Sequence, residues 1–207
     1  MSKKSIGHQE KHINRRRFLT MGLISAAPLV VSGAAWARMH VETSASGKRE
    51  MARSLSFYNL HTGERLTTVY WEKGEYVPTA LDEVNYILRD FRQNQIKPID
   101  PTLLDLLVAL RDRLQSQANY EVISGYRSPL TNAMLHSQSE GVAAHSLHMD
   151  GRAIDIRLPG RPLGLVRVAA LSLQRGGVGY YPGRFVHVDT GRVRWWGRPS
   201  FVRALPG

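Results

Sequence analysis

Two histidines and an aspartate carry the side chains best suited to bind a metal ion. His148 and Asp155 lie in the stretch from Ser146 to Asp155, and His187 lies further along in Phe185-Val186-His187-Val188-Asp189. Imidazole nitrogens and carboxylate oxygens both bind zinc, at about 2.0–2.2 Å. Three protein ligands with a fourth position left for water are typical of catalytic rather than structural zinc. We therefore predict a zinc site at His148, Asp155 and His187.

Other histidines and acids in this part of the chain compete for the same roles. Asp150 is an alternative ligand, but it falls in a predicted turn, so Asp155 is preferred. His136 and His145 are expected to be loop residues rather than ligands, although His145 is close enough in the chain to His148 to compete for the metal.

Three further side chains are candidates for the chemistry around such a metal. Zinc lowers the pKa of bound water to about 7 and polarises a carbonyl group, which suits amide hydrolysis. Asp189 shares one strand face with His187, so it is either the general base or a partner that orients the histidine. Arg127 is a fixed cation for an oxyanion or a substrate carboxylate. Ser146 can donate a hydrogen bond to a substrate backbone. Plainer alternatives are an Asx-turn for Asp189 and a simple ion pair for Asp155.

Alternating and helical patterns predict the elements that position these residues. A hairpin is predicted from residues 55–60 and 66–71, with His61 exposed in its turn, and strands at 120–124, 152–158, 178–181 and 185–189. Helices are predicted from Pro78 to about Phe91, Pro101 to about Leu114, Pro129 to Leu135, and Leu163 to Leu173. Residues 136–147 are predicted to form a polar loop. These elements predict an α+β domain with a small, largely antiparallel sheet packed against helices.

Several side chains in these elements are assigned no chemistry. Most acids of the first two helices, a group that includes Asp90, are expected on the outer face. Trp195 and Trp196 are expected to pack over the end of the sheet, with a glycan platform as the alternative.

Composition restricts the kind of site and partner. The chain has 207 residues, of which 43% are hydrophobic and 22% charged, as in soluble globular proteins. It has no cysteine, which excludes disulfides and thiolate metal sites. Residues 1–37 carry a net +5 of the total +11, so +6 remains for the rest. A basic body suits an anionic cell-wall polymer, and the lack of a Lys/Arg block interleaved with aromatics argues against nucleic acid.

The first 37 residues predict an export signal. Arg15-Arg16-Arg17 precede Phe18-Leu19, and the apolar stretch from Leu19 to Ala37 ends in Ala35-Trp36-Ala37, a pattern typical of signal-peptide cleavage. The paired arginines resemble the signal read by the bacterial twin-arginine export machinery. Pro28 interrupts the apolar stretch, which favours cleavage over a membrane anchor and leaves no stable span. Residues 38–53 predict a flexible linker, and residues 54–207 a catalytic domain.

The stretch Ser146-x-His148-x-x-Gly151-x-Ala153-x-Asp155 matches the motif SxHxxGxAxD. In it the chain resembles the zinc D-Ala-D-Ala metallopeptidases, a family that includes murein endopeptidases and shares its fold with the hedgehog signalling domain. Residues 59–64, 124–128, 176–182 and 185–191 and the twin-arginine leader also look like those of murein endopeptidases. The resemblance implies zinc at His148, Asp155 and His187, and hydrolysis of peptide cross-links in periplasmic peptidoglycan.

One position departs from the family pattern. Many relatives place an acidic base three residues before the last histidine ligand, where this chain has Arg184. The base therefore cannot be carried over, and Asp189 is the substitute candidate.

Three functions stay open on the sequence. The first is a zinc endopeptidase that cuts cross-links during cell-wall remodelling. The others are a D-Ala carboxypeptidase acting on uncross-linked stem peptides and a non-catalytic, zinc-containing module that binds peptidoglycan. Bonds from D-Ala to diaminopimelate and from diaminopimelate to diaminopimelate present similar geometry, so the sequence does not select the cross-link.

Overall fold

The computed structural model describes residues 52–139 and 141–197. They belong to the second of the two units into which the chain divides, residues 46–207. The predicted signal peptide and nearly all of the predicted linker lie outside the described residues. Within residues 52–139 and 141–197, no helix has the length and apolar character needed to cross a membrane.

Strands β1 to β8 are Arg53–Asn59, Arg65–Glu72, Glu75–Tyr76, Tyr120–Ser124, Ala153–Arg157, Gly177–Tyr181, Phe185–Asp189 and Arg194–Trp196. They form one sheet in the order β3-β2-β1-β4-β5-β7-β6-β8. Two neighbouring pairs, β1 with β4 and β6 with β8, are parallel, and the other pairs are antiparallel. The predicted hairpin is β1 with β2. The prediction of a largely antiparallel sheet is confirmed.

Helices α1 to α4 are Pro78–Ile87, Pro101–Arg113, Pro129–Gln138 and Leu163–Ser172. The first three begin at proline, whose fixed φ angle suits the first turn of a helix and whose missing N–H is not needed there. Asp100 caps α2 by accepting a hydrogen bond from the Thr102 N–H, and Ser128 caps α3 by accepting one from the Thr131 N–H. The predicted α+β class is confirmed.

Two helix ends differ from the prediction by more than one residue. α3 continues to Gln138 instead of ending at Leu135. α1 ends at Ile87 rather than near Phe91, because the Asp90 carboxylate accepts a hydrogen bond from the backbone N–H of Arg92 and so stabilises a turn in place of the helix. Asp90 is also 2% exposed, so its predicted place on the outer face was wrong.

A single apolar cluster holds the central strands together. The buried leucines of α2 belong to the same cluster as buried side chains of β1, β4, β5 and β7. Ile154 and Ile156 of β5 are both 0% exposed, and their strand lies between β4 and β7. The central position of β5 fixes Asp155 within the sheet, where β4 and β7 bring other polar side chains beside it.

Candidate metal centre

The pairing of β5 with β7 brings two of the predicted ligands together. In this antiparallel pair Asp155 lies directly opposite His187. Opposed residues of antiparallel strands point to the same face, with their Cβ atoms about 4.5–5.5 Å apart. The side chains meet there, with His187 Nδ1 lying 2.8 Å from Asp155 Oδ1.

His148 reaches the same point from a short 3₁₀ turn, Leu147–Asp150. The turn ends at Gly151, whose φ of +69° favours glycine and whose position leaves no room for a Cβ against the Pro98 carbonyl. His148 Nδ1 lies 2.7 Å from the carbonyl oxygen of Gly125, so this nitrogen donates a hydrogen bond. The other ring nitrogen, Nε2, then points at Asp155 Oδ1, 3.3 Å away, and at His187 Nδ1, 3.1 Å away.

The hydrogen-bond partners of the two imidazoles show which atoms carry lone pairs. His148 uses Nδ1–H on Gly125, and His187 directs Nε2 at the Asp189 carboxylate, 3.1 Å away, where it must donate. In their neutral forms, His148 Nε2 and His187 Nδ1 therefore present lone pairs to each other and to Asp155 Oδ1. The ligand atoms lie within 4.8 Å of one another, and the three side chains are buried. Converging lone pairs repel unless a cation lies between them, so this donor set fits a divalent metal ion.

Protonation of His187 is the other way to relieve this repulsion. Burial alone would lower the pKa of His187, but hydrogen bonds to the Asp155 and Asp189 carboxylates outweigh it and raise the pKa to about 8. Burial lowers the pKa of His148 despite the neighbouring Asp155 charge. Burial opposes ionisation of Asp155, but the two imidazoles hold its pKa well below the usual range. His187 is therefore the group that must lose a proton when a metal binds.

Asp189 lies behind His187 and is fully enclosed, with 0% exposure. Oδ2 lies 3.1 Å from His187 Nε2 and accepts from Arg194 Nη2 at 2.7 Å. Oδ1 accepts from the backbone N–H groups of Gly177 and Gly191, at 2.9 and 2.8 Å, and from Arg194 Nη1 at 3.0 Å. Burial would raise its pKa, but these donors hold the pKa well below the usual range.

Arg127 lies beside the donor set, next to Oδ2 of Asp155. Its Nη2 is 3.6 Å from Asp155 Oδ2, and its side chain also contacts Asn132 and Ser124, each at 3.3 Å. The buried Nε atom has no hydrogen-bond partner among the described residues. Burial lowers the pKa of this guanidinium, although Asp155 acts in the opposite direction. The result is a cation held in place at the edge of the donor set.

Other candidates from the sequence lie elsewhere. Asp150 and His145 are exposed and outside the donor set formed by the described residues. His136 is also exposed, with Nδ1 lying 2.6 Å from the Val142 carbonyl. Ser146 accepts a hydrogen bond from the His148 N–H at 3.4 Å, so its observed contact fixes the turn. Arg184 is exposed, and its backbone carbonyl accepts a hydrogen bond from Arg157.

Sequence analysis missed the residues that hold His187 from behind. Arg194 lies on the short strand β8, which was not predicted, and carries no local signal of its contact with Asp189. Trp196 on the same strand places its ring 5.1 Å from the His187 ring and donates from Nε1 to the Tyr181 hydroxyl at 3.1 Å. Trp195 is 67% exposed, so the expectation that both tryptophans pack over the sheet was wrong for this one.

Comparison with known proteins agrees with this geometry. A family profile described as "Peptidoglycan L,D-endopeptidase MepK" matches residues 47–196. The proteins of that name from Escherichia coli (strain K12) and Shigella flexneri are each 39% identical over 184 residues, which cover 88% of this chain and 97% of each relative. The "probable peptidoglycan L,D-endopeptidase MepK" of Haemophilus influenzae is 40% identical over 185 residues, covering 88% of this chain and 95% of the relative.

These matches extend over most of both chains, so they establish the family. The resemblance to D-Ala-D-Ala metallopeptidases, and among them to murein endopeptidases, is confirmed. The His–Asp–His cluster agrees with the metal dependence of that group. The chain therefore belongs to the MepK family of peptidoglycan L,D-endopeptidases, which are metal-dependent peptidases.

Proposed function

We propose that this protein is a zinc-dependent murein endopeptidase that hydrolyses amide bonds in the peptide cross-links of peptidoglycan. The observation that carries the proposal is the convergence of His148 Nε2, Asp155 Oδ1 and His187 Nδ1 on one point, in a chain of this family. The names of the relatives support an L,D-amide as the bond that is cut. Of the two cross-links left open by the sequence, this favours the bond between two diaminopimelate residues.

Zinc is the proposed metal because the donor set is two imidazole nitrogens and one carboxylate oxygen, with no thiolate. Such a set leaves one position open in a tetrahedral site, as in catalytic zinc centres. Zinc bound there would supply an activated water and polarise the scissile carbonyl.

The surrounding residues have separate roles in the proposal. Gly125 orients His148 through its carbonyl, and Asp189 orients His187, as outer partners of metal ligands commonly do. Asp189 was predicted as either the base or an orienting partner. Its enclosure and its donors on both oxygens support the orienting role, because a base needs an oxygen within reach of the water.

Arg127 stabilises negative charge on the substrate side of the centre. Its guanidinium is held 3.6 Å from Asp155, so it is in place before substrate binds. A fixed cation at this point stabilises a developing oxyanion without having to reorganise during the reaction. Ser146 contributes by closing the turn that presents His148.

The proposal places the enzyme in the periplasm, where the polymer lies, with peptidoglycan and the twin-arginine export machinery as partners. Residues 1–37 would act as a cleaved twin-arginine signal, residues 38–53 as a linker and residues 54–207 as the catalytic domain. The support is the sequence pattern at Arg15-Arg16-Arg17 and Ala35-Trp36-Ala37. Replacing Arg15 and Arg16 by lysine should remove the protein from the periplasmic fraction of its host; undiminished export would contradict this route.

A muropeptide digest tests the function. The purified protein with zinc should convert cross-linked muropeptides into uncross-linked ones, and His148→Ala should lose both bound zinc and activity. His145→Ala is the matched control, because His145 is exposed and outside the donor set. Full activity of His148→Ala would refute the ligand assignment. Release of D-Ala from uncross-linked stems alone would indicate a carboxypeptidase, and sacculus binding without any product a binding module.

A further inference from the structure

The loop after α1 is tied to the segment that carries Arg127. Oδ1 of the buried Asp90 accepts a hydrogen bond from the Arg92 N–H at 3.0 Å, and Oδ2 accepts one from the Ser128 N–H at 2.9 Å. The Tyr126 N–H also donates to the Leu88 carbonyl at 2.7 Å. These bonds hold the backbone of Arg92 and the residues on both sides of Arg127, so the two backbone positions are fixed relative to each other.

The Arg92 side chain is exposed and lies over an aromatic ring. Its guanidinium lies 4.4 Å from the centre of the Phe91 ring, and that ring stacks on His61 with centroids 4.4 Å apart. Stacking on an aromatic face restrains the guanidinium while leaving its N–H groups available. No carboxylate in residues 52–139 and 141–197 forms an ion pair with Arg92, whereas the nearby Arg89 is paired with Glu64 at 2.9 Å.

Arg92 and Arg127 line the same cleft. Phe91, Ser124 and Gly125 also line it, and Gly125 is the residue whose carbonyl orients His148. The cleft is narrow, about 270 Å³ when the open solvent at its mouth is counted, so only a small group reaches it. The cleft therefore connects the exposed Arg92 with Arg127 and Gly125, which contact Asp155 and His148 of the donor set.

The charges around this cleft favour an anion. The acids near the two arginines are Asp90, whose oxygens are engaged by backbone N–H groups, and Asp155, which belongs to the donor set. The charges of the two arginines and the two aspartates cancel, so a divalent metal ion at the donor set would leave an excess of two positive charges. A carboxylate that enters the cleft offsets part of that excess and accepts hydrogen bonds from guanidinium groups, which bind carboxylates with two parallel N–H donors.

We propose that Arg92, in the cleft that it shares with Arg127, binds a free carboxylate carried by the carbon atom that bears the scissile amide nitrogen. This inference rests on the proposed function and names its substrate class. In a cross-link between two diaminopimelate residues, the amine that forms the amide sits on a carbon with its own carboxylate. The enzyme therefore selects cross-links in which this carboxylate is free, and discriminates against those in which it is amidated.

A pair of synthetic cross-linked peptides tests this selection. They are identical except that one carries the carboxylate and the other a carboxamide at that carbon. The zinc-loaded wild-type enzyme should show a higher kcat/KM on the acid, by about tenfold or more, because a charge-assisted hydrogen bond contributes at least that much. Arg92→Gln should lose about tenfold in kcat/KM on the acid, through KM, and change little on the amide.

Arg113→Gln is the control, because Arg113 is an exposed arginine at the end of α2. It should keep the wild-type preference, and Arg92→Lys should keep part of it, because lysine retains the charge without the planar fork. An unchanged acid-to-amide ratio in Arg92→Gln, with wild-type melting temperature and zinc content, overturns the inference and leaves the proposed function intact. If the wild-type enzyme cleaves neither peptide nor natural muropeptides, the proposed function fails, and this inference with it.

Discussion

Replacing Asp189 with asparagine would keep the shape of the side chain and remove its charge. In the native protein both oxygens accept hydrogen bonds, from His187, from Arg194 and from the backbone N–H groups of Gly177 and Gly191. The amide NH₂ of asparagine cannot accept, so it would face donors on one side whichever way it is turned. The variant therefore weakens the contact that orients His187 and leaves Arg194 without its carboxylate.

The size of the effect follows from these contacts. Loss of an outer partner of a metal ligand typically costs about 10–100-fold in metal affinity, which is about 1.4–2.7 kcal/mol. The new amide NH₂ group and the N–H donor that it would face both lack an acceptor, which costs about 1–3 kcal/mol in stability. The Arg194 side chain is 32% exposed, so water can replace part of what it loses, and the lower half of that range is expected.

Two measurements separate the possible roles of Asp189. Zinc affinity is measured by competition with a chromophoric chelator, and kcat is measured on cross-linked muropeptides at saturating zinc. An orienting Asp189 predicts weaker zinc binding with kcat within about tenfold of wild type. Asp150→Asn is the matched control, because Asp150 is an exposed acid outside the donor set. It should change neither quantity, and a loss of zinc in it would revive Asp150 as a ligand.

The orienting role has a definite refutation. A general base contributes about 10²–10⁴-fold to the rate, whatever the metal occupancy. If Asp189→Asn bound zinc as wild type does and yet lost more than 100-fold in kcat, Asp189 would be the base. The conclusion drawn from its enclosure would then be wrong.

Two further predictions concern the proton at the centre and the loop beside it. The raised pKa of His187, about 8, means that its proton is present below that pH and must leave when metal binds. Zinc affinity should therefore rise about tenfold per pH unit from pH 6 to 8 and level off above pH 8. Calorimetry in buffers of different ionisation enthalpy should find about one proton released on zinc binding at pH 7. A measurement of no proton release would contradict the raised pKa of His187. Asp90→Ala should lower the free energy of unfolding, measured in urea, by about 3 kcal/mol, because the backbone N–H groups of Arg92 and Ser128 lose their buried acceptor. Asp112→Ala is the control, because the Asp112 side chain is 65% exposed, and it should change the free energy of unfolding by less than about 0.5 kcal/mol.

Local patterns in the sequence were enough for most of the elements. The period-two alternation in Phe185–Asp189 placed His187 and Asp189 on one face of a strand, as β7 shows. Proline after a capping side chain located the starts of α2 and α3, because both signals act within one turn of helix. These features depend on neighbours in the chain, so the sequence shows them without knowledge of the fold.

Contacts between distant segments could not be predicted from local patterns in the sequence. The burial of Asp90 depends on Ser128, which lies on another element and supplies one of the backbone N–H donors. The partnership of Arg194 with Asp189 depends on β8 pairing with β6, and three residues of β8 give too little pattern to predict a strand. Each of these depends on which elements pack together.

By itself the sequence determined the types of side chain available for metal chemistry, the faces on which they lie and the family motif that contains two of them. Only the tertiary structure decided that Asp155 lies opposite His187, that His148 directs Nε2 at both of them, and that Asp189 is buried behind His187. The physical reason is that side-chain direction follows local backbone geometry, whereas strand register and enclosure follow from the packing free energy of the whole domain.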